Sequence, residues 1–237
     1  MKGGLSLSSW SKAWADSTPI TLAYVPISMT FGVIATSHGI SPLLAILISA
    51  MIYAGGAQFV FISLALTNAS AWSTVLTVLI VNARHLLYGT TLGPSFSQWT
   101  EKHKWLAAFG MTDEVFAYTS SRNRGSLLSP HYQLAFEAYC YLAWMLGTVL
   151  GSTLGPLIPR AIASPLSFLL PALFLALIVL GPRTTAHLAA AVIGGATAIA
   201  VTPQAGAGGG IISGAVLGAG IGMMINFRGK KGPRPSV

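Results

Sequence analysis

The chain has 237 residues, of which 53% are hydrophobic and only 8% charged. A water-soluble domain of this composition would leave almost no polar surface to solvate, so the sequence reads as a membrane protein. The net charge of +8 does not mark a nucleic-acid binder, because the 13 Lys and Arg are scattered over short connections and no basic stripe interleaved with aromatics occurs.

Residues 1–18 are polar with scattered Leu and Trp and read as a cytoplasmic or interfacial segment. The first apolar run, Pro19 to Gly39, has no clear cleavage site, so a cleaved signal peptide is not expected. Eight apolar segments can be marked, at about 19–38, 43–67, 71–92, 105–119, 132–155, 164–181, 186–202 and 208–227. Most reach the roughly 20 residues that a spanning helix needs. The expected fold class is therefore all-α: a polytopic integral membrane helix bundle with six to eight crossings. Residues 19–227 read as a single transmembrane transporter domain and 228–237 as a basic cytoplasmic tail. Pro26 and Pro171 lie inside apolar segments and are expected to kink them, since each removes a backbone donor. Cys140 is the single cysteine, so no internal disulfide can form.

Positive charge near helix ends prefers the cytoplasm and so chooses among topologies. If all eight segments cross with the N-terminus inside, Lys2, Lys12, Arg122, Arg124, Arg183 and the tail cations Arg228, Lys230, Lys231 and Arg234 are cytoplasmic, against Lys102, Lys104 and Arg160 outside. If the second and fourth segments dip in and return, only Arg160 remains outside. If the fourth alone fails to cross, the bias inverts and is disfavoured. Both acceptable arrangements put both termini in the cytoplasm, and the charge bias leans to six crossings with two re-entrant segments.

Within these segments, the second is interrupted at Tyr53-Ala-Gly55-Gly56-Ala-Gln58-Phe59. A helix restarting there would aim free backbone N–H groups and a positive dipole end at a small anion, as discontinuous transporter helices do with substrate carboxylates. Gln58 can donate and accept, and Tyr53 offers a hydroxyl. The alternative is that Gly55 and Gly56 simply let helices cross closely. The third segment holds Asn82, Arg84 and His85 among aliphatic residues. A buried arginine costs on the order of 3 kcal/mol unless it meets a counter-charge or reaches the interface. Arg84 is thus a candidate carboxylate clamp or the partner of a buried acid, or else snorkels to the membrane surface. On a helix Arg84 shares a face with Tyr88, and Asn82 with His85, whose ring can exchange protons near neutral pH. The short fourth segment carries Thr112-Asp113-Glu114. Of the five acids, Asp16, Glu101 and Glu137 sit at or near segment ends, leaving Asp113 and Glu114 to neutralise Arg84 or carry a proton. His38, His103, His131 and His187 fall at connections and read as surface residues, and no two histidines have metal-ligand spacing.

The later segments show how helices pack. Gly147, Gly151 and Gly155 recur every fourth residue, as do Gly206, Gly210, Gly214, Gly218 and Gly222. This spacing lines one helix face with small residues and lets two backbones approach in lipid. Enzymatic readings find little support. There is no nucleotide-binding Gly-Lys-Ser/Thr motif and no Gly-x-Ser-x-Gly elbow, and no cofactor is expected.

Four stretches together are similar to the AzlC family, the large subunits of bacterial branched-chain amino acid exporters. They are Tyr53-Ala-Gly-Gly-Ala-Gln-Phe59, Asn82-Ala-Arg-His-Leu-Leu-Tyr-Gly89, Thr112-Asp-Glu-Val-Phe-Ala117 and Phe168-Leu-Leu-Pro-Ala-Leu-Phe-Leu-Ala176, in the family's order. Ser28 stands where a glycine is expected near Pro26. The resemblance implies export of Leu, Ile, Val and similar apolar amino acids across the bacterial plasma membrane, with a small AzlD-type membrane subunit as partner. Tyr53, Gly55, Gly56, Gln58, Asn82 and Arg84 are the expected substrate-binding residues, with Phe59 and Phe61 for the apolar side chain. His85, Asp113 and Glu114 are the expected proton-coupling residues of an antiporter. A channel for small neutral solutes and a scaffold subunit of a membrane complex are the alternatives.

Overall fold

The computed structural model of the chain describes residues 7–67, 69–122, 129–157 and 184–229, together with 168, 172, 175, 178 and 179. Most of the sixth apolar segment, including Pro171, lies outside the described residues, as do Lys2, Arg124, Arg160, Arg183 and the tail from Lys230. Among the described residues the regular structure is entirely helical.

Helix α1 runs without interruption over Leu7–Ser37, so the polar stretch ahead of Pro19 is helical from Leu7 onward. The second apolar segment is two helices, α2 (Pro42–Met51) and α3 (Gly55–Leu66). Pro42 opens α2 with its ring where no donor is needed, and Ser41 caps it by accepting from the Leu44 N–H at 3.3 Å. The third segment is also divided, into α4 (Ala71–Asn82) and α5 (Arg84–Leu92), followed by a 3₁₀ turn over Gly93–Phe96. The fourth forms α6 (Glu101–Gly110) and α7 (Asp113–Arg122). Helix α8 spans Pro130–Leu154, and α9 spans Thr185–Gly229. Four stretches among the described residues are long and apolar enough to cross a membrane: Ser9–Ser37, Ala71–Phe96, Pro130–Leu154 and Thr185–Phe227.

The chain divides into two compact units, one of Met1–Phe59 with Asn82–Leu169 and one of Val60–Val81 with Leu170–Val237. In the first unit α1 and α8 pack backbone to backbone. A Cβ at Gly147 would strike Ser28 Oγ and the Val25 carbonyl, and one at Gly151 would strike the Met29 carbonyl. On the facing helix, a Cβ at Gly32 would lie 2.5 Å from the Ser152 nitrogen. The four-residue glycine spacing here serves close helix approach, as its pattern predicts. Residue numbers rise together along this seam, so α1 and α8 run in the same direction. That agrees with both topologies favoured by charge, and not with the one in which the fourth segment alone fails to cross.

In the second unit α9 bends at Gly206, whose φ of 71° and ψ of 174° lie outside the range of residues bearing a Cβ. The segments expected at 186–202 and 208–227 are its two arms. They pack antiparallel: Gly214 lies against the Gly194 carbonyl, Gly218 against the Ala190 carbonyl and Gly222 against Ala186.

Candidate functional site

Three helix interruptions fall in the first unit, and each carries one of the polar motifs. The first is at Ile52–Ala54, immediately ahead of the glycine pair, so Gly55 and Gly56 are the first residues of α3. The Ala54 N–H donates to the Ile52 carbonyl at 2.8 Å, and α3 begins with the Gln58 N–H on the Ala54 carbonyl at 3.0 Å. The Gln58 side chain, fully buried, donates from Nε2 to the Ile52 carbonyl at 2.5 Å and to Ser49 Oγ at 3.5 Å. It thereby ties the new helix to the end of the old one. Gly55 lies beneath the Trp144 ring, which a Cβ there would meet at 2.5 Å. Tyr53 is buried edge-on against Trp144 and Tyr141 and packs on Phe109. Neither its hydroxyl nor Gln58 Oε1 has a hydrogen-bond partner among the described residues.

The second interruption is Ala83. Asn82 ends α4 and Arg84 opens α5, so the two lie on different helices. Arg84 Nη1 is 2.6 Å from Asp113 Oδ2, with the two side chains 26% and 15% exposed. Tyr88, one turn further along α5, donates to Asp113 Oδ1 and stacks on Phe116. His85 turns back, with Nδ1 3.0 Å from the Asn82 carbonyl and its ring tilted against Tyr88. Asn82 Oδ1 is buried without a hydrogen-bond partner among the described residues.

The third interruption, Met111–Thr112, makes Asp113 and Glu114 the first turn of α7, where the helix dipole favours negative charge. Thr112 accepts the Phe116 N–H on its carbonyl at 2.8 Å. Glu114 Oε2 accepts from the Tyr24 hydroxyl at 2.6 Å, and the same hydroxyl is 2.6 Å from Thr112 Oγ1. Trp144 joins the groups: its ring meets Tyr24, Tyr53 and Gly55, and its Nε1 donates to Ser49 Oγ at 3.0 Å.

The expected Arg84–Asp113 pairing is therefore formed, and Glu114 is held separately by a neutral hydroxyl. His85 faces Asn82 and Tyr88 rather than an acid. Tyr24 and Trp144 were not anticipated from sequence. Glu137 differs from its expected place near a segment end: it lies well inside α8 and is buried. Gln133 Nε2 donates to its Oε1 at 2.8 Å, Oε2 has no hydrogen-bond partner among the described residues, and Gly110 makes room for the carboxyl.

At the far end of α7, Arg122 Nη1 donates to Asp16 Oδ2 at 2.6 Å, to Tyr118 Oη at 2.8 Å and to Tyr132 Oη at 2.9 Å. Burial weakens the charge on Arg122, but its hydrogen bonds to Tyr118 and Asp16 outweigh that and hold the guanidinium above its ordinary range. Thus α1 is fastened to α7 twice, by Tyr24–Glu114 and by Asp16–Arg122.

The chain matches the AzlC protein family model over residues 19–158, which includes all three interruptions. It is 37% identical over 166 residues to the inner membrane protein YgaZ of Escherichia coli (strain K12), covering 68% of each chain. An uncharacterized membrane protein of Archaeoglobus fulgidus is 36% identical over 191 residues, 80% of this chain and 83% of the relative. The branched-chain amino acid transport protein AzlC of Bacillus subtilis (strain 168) is 27% identical over 172 residues, 72% of this chain and 67% of the relative. No solved structure matches. With its apolar helices and this similarity, the chain is a multi-pass membrane protein and belongs to the AzlC family.

Proposed function

We propose that the chain exports branched-chain and similar apolar amino acids across the bacterial plasma membrane. In this reading it is the large subunit of a two-component proton antiporter, working with a small AzlD-type membrane subunit. The observation that carries the reading is the Arg84–Asp113 pair set between two helix starts. A zwitterionic amino acid presents the complementary charges, its carboxylate to the guanidinium and its ammonium to the aspartate. Binding exchanges one ion pair within the protein for two with the substrate, so the site need never hold an uncompensated charge in a low dielectric. The α3 start adds backbone donors at Gly55 and Gly56, with the Tyr53 hydroxyl and Gln58 Oε1, neither of which has a hydrogen-bond partner among the described residues, as further polar groups for the substrate.

Glu114 is the favoured proton carrier. Asp113 is matched by a cation, whereas Glu114 is held by a hydroxyl that works in either direction. With Glu114 charged, Thr112 donates to Tyr24 and Tyr24 donates to Glu114. With Glu114 protonated, the acid donates to Tyr24 Oη and Tyr24 donates to Thr112 Oγ1. In both directions the Tyr24 hydroxyl keeps its bonds to Glu114 Oε2 and Thr112 Oγ1, so gain or loss of the proton need not break either contact. Exchanging one proton inward for one zwitterion outward moves one charge, worth about 2.3 kcal/mol per 100 mV, against about 1.4 kcal/mol for a tenfold gradient.

The test is efflux of leucine, isoleucine and valine from dipeptide-loaded bacterial cells lacking their own exporter. This chain is expressed with and without the small partner, and with Arg84→Ala as control. Uphill efflux that needs the partner and collapses with a protonophore is expected. Absence of efflux, with both proteins in the membrane, would defeat the proposal.

A further inference from the structure

Beside the Arg84–Asp113 pair the first unit contains a cavity of about 330 Å³ between α5, the 3₁₀ turn and α6. Its walls are mainly apolar: Leu92, Phe96, Ala108 and Met111, with Gly89 and Gly93 on one side. Tyr88 and His85 line it as well, and Lys104, ion-paired with Glu101 at 2.9 Å, does so from α6. Tyr88 is common to both places, since the residue that borders the cavity also donates to Asp113.

The two glycines are informative because the usual reasons for glycine do not apply to them. Positive φ occurs, among the described glycines, only at Gly39 and Gly206. At Gly147 and Gly151 a Cβ would collide with a neighbouring backbone, yet at Gly89 and Gly93 it would meet nothing within 4 Å. Their missing side chains bring no helix closer; they leave volume. Cavities of roughly 300–1,000 Å³ receive small molecules, and this one is at the lower end of that range. Its lining includes no carboxylate to balance an ammonium group, and its mainly apolar walls suit a hydrocarbon. Phe59, one of the two phenylalanines expected to meet the apolar side chain, is already packed edge-on against Phe31 at 5.9 Å between ring centroids.

We infer that the cavity walled by Gly89, Gly93, Leu92, Phe96, Ala108 and Met111 receives the aliphatic side chain of a neutral amino acid whose charged head group sits on Arg84 and Asp113. This rests on the substrate reading given above and adds a specificity determinant to it: the glycines set the length and branching of side chain that is accepted. Larger residues at 89 or 93 shorten the cavity and favour smaller substrates.

The experiment is equilibrium binding of radiolabelled alanine, valine, leucine and phenylalanine to the full chain, with its small partner, in lipid nanodiscs. Wild type is compared with Gly89→Val, Gly93→Val and, from the opposite wall, Ala108→Leu. Each variant is first checked for monodisperse elution and thermal unfolding like wild type. Wild type is expected to prefer leucine to alanine, and the variants to reduce that ratio about tenfold or more while binding alanine. If wild type prefers leucine and all three folded variants keep the same ratio, the cavity is not the side-chain site although the substrate reading stands. If wild type binds none of these amino acids, the substrate reading fails and this inference fails with it.

Discussion

Tyr24, in the middle of α1, donates to Glu114 at the start of α7 across 90 residues of sequence, at 2.6 Å. The tyrosine is 1% exposed and has one hydrogen to give, with Glu114 and Thr112 both within reach of it. It therefore links the acid to Thr112, the residue just ahead of α7.

Glu114→Gln keeps the shape of this chain of hydrogen bonds but cannot release a proton. Uphill export should fall at least tenfold while exchange of labelled for unlabelled leucine, which needs no net proton movement, persists. Tyr24→Phe removes the hydroxyl that partners Glu114 in both of its states, so the pH profile of export should change. Export rates in vesicles over a pH series check both. An unchanged profile in Glu114→Gln would remove Glu114 from the proton path.

Removing one member of the Arg84–Asp113 pair should harm more than removing both. Arg84→Met leaves Asp113 facing a low dielectric without its cation, at a cost of about 3 kcal/mol. The double variant Arg84→Met with Asp113→Leu should unfold closer to wild type than either single change, though it should not transport. Thermal unfolding in detergent, run as a double-mutant cycle, measures the coupling.

Gly151→Val should destabilise the α1–α8 seam by about 3 kcal/mol, because the added carbons point at the Met29 carbonyl. Gly89→Ala, by contrast, adds a methyl to open space within a helix and should hold or raise the unfolding temperature. Size-exclusion profiles and melting curves of the two variants separate packing glycines from space-making ones.

At the bend of α9, Gly206→Ala should cost about 2 kcal/mol. Gly206→Asn should do no better, since a ψ of 174° lies outside the left-handed region that asparagine tolerates. Melting curves of the two variants should coincide, both below wild type.

Much of the helical layout can be read from the sequence because apolar length and glycine spacing are local signals. The interruption after Met51 is marked by adjacent glycines, and the α1–α8 seam by Gly147, Gly151 and Gly155. The break at Ala83 is not marked, since no glycine or proline stands there. Periodicity alone therefore places Asn82 and Arg84 on one helix, where the structure has two. Tyr24, Trp144 and Glu137 have their importance only through partners far along the chain, which no periodicity reveals. Gly89 and Gly93 share the four-residue spacing of the packing glycines and differ from them only in what surrounds them.

The direction and separation of the contacts also bear on how the protein is made. The arms of α9 meet within one continuous stretch, so that hairpin can close as soon as it is synthesised. The site in the first unit has no such local route: α1 waits for α8, with Asp16 and Tyr132 lying 116 residues apart. Arg84, Asp113 and Glu114 thus leave the ribosome before Trp144, which packs on Tyr24, the partner of Glu114. The Arg84–Asp113 pair joins neighbouring segments, so both of its charges are synthesised before α8 and can be compensated without it.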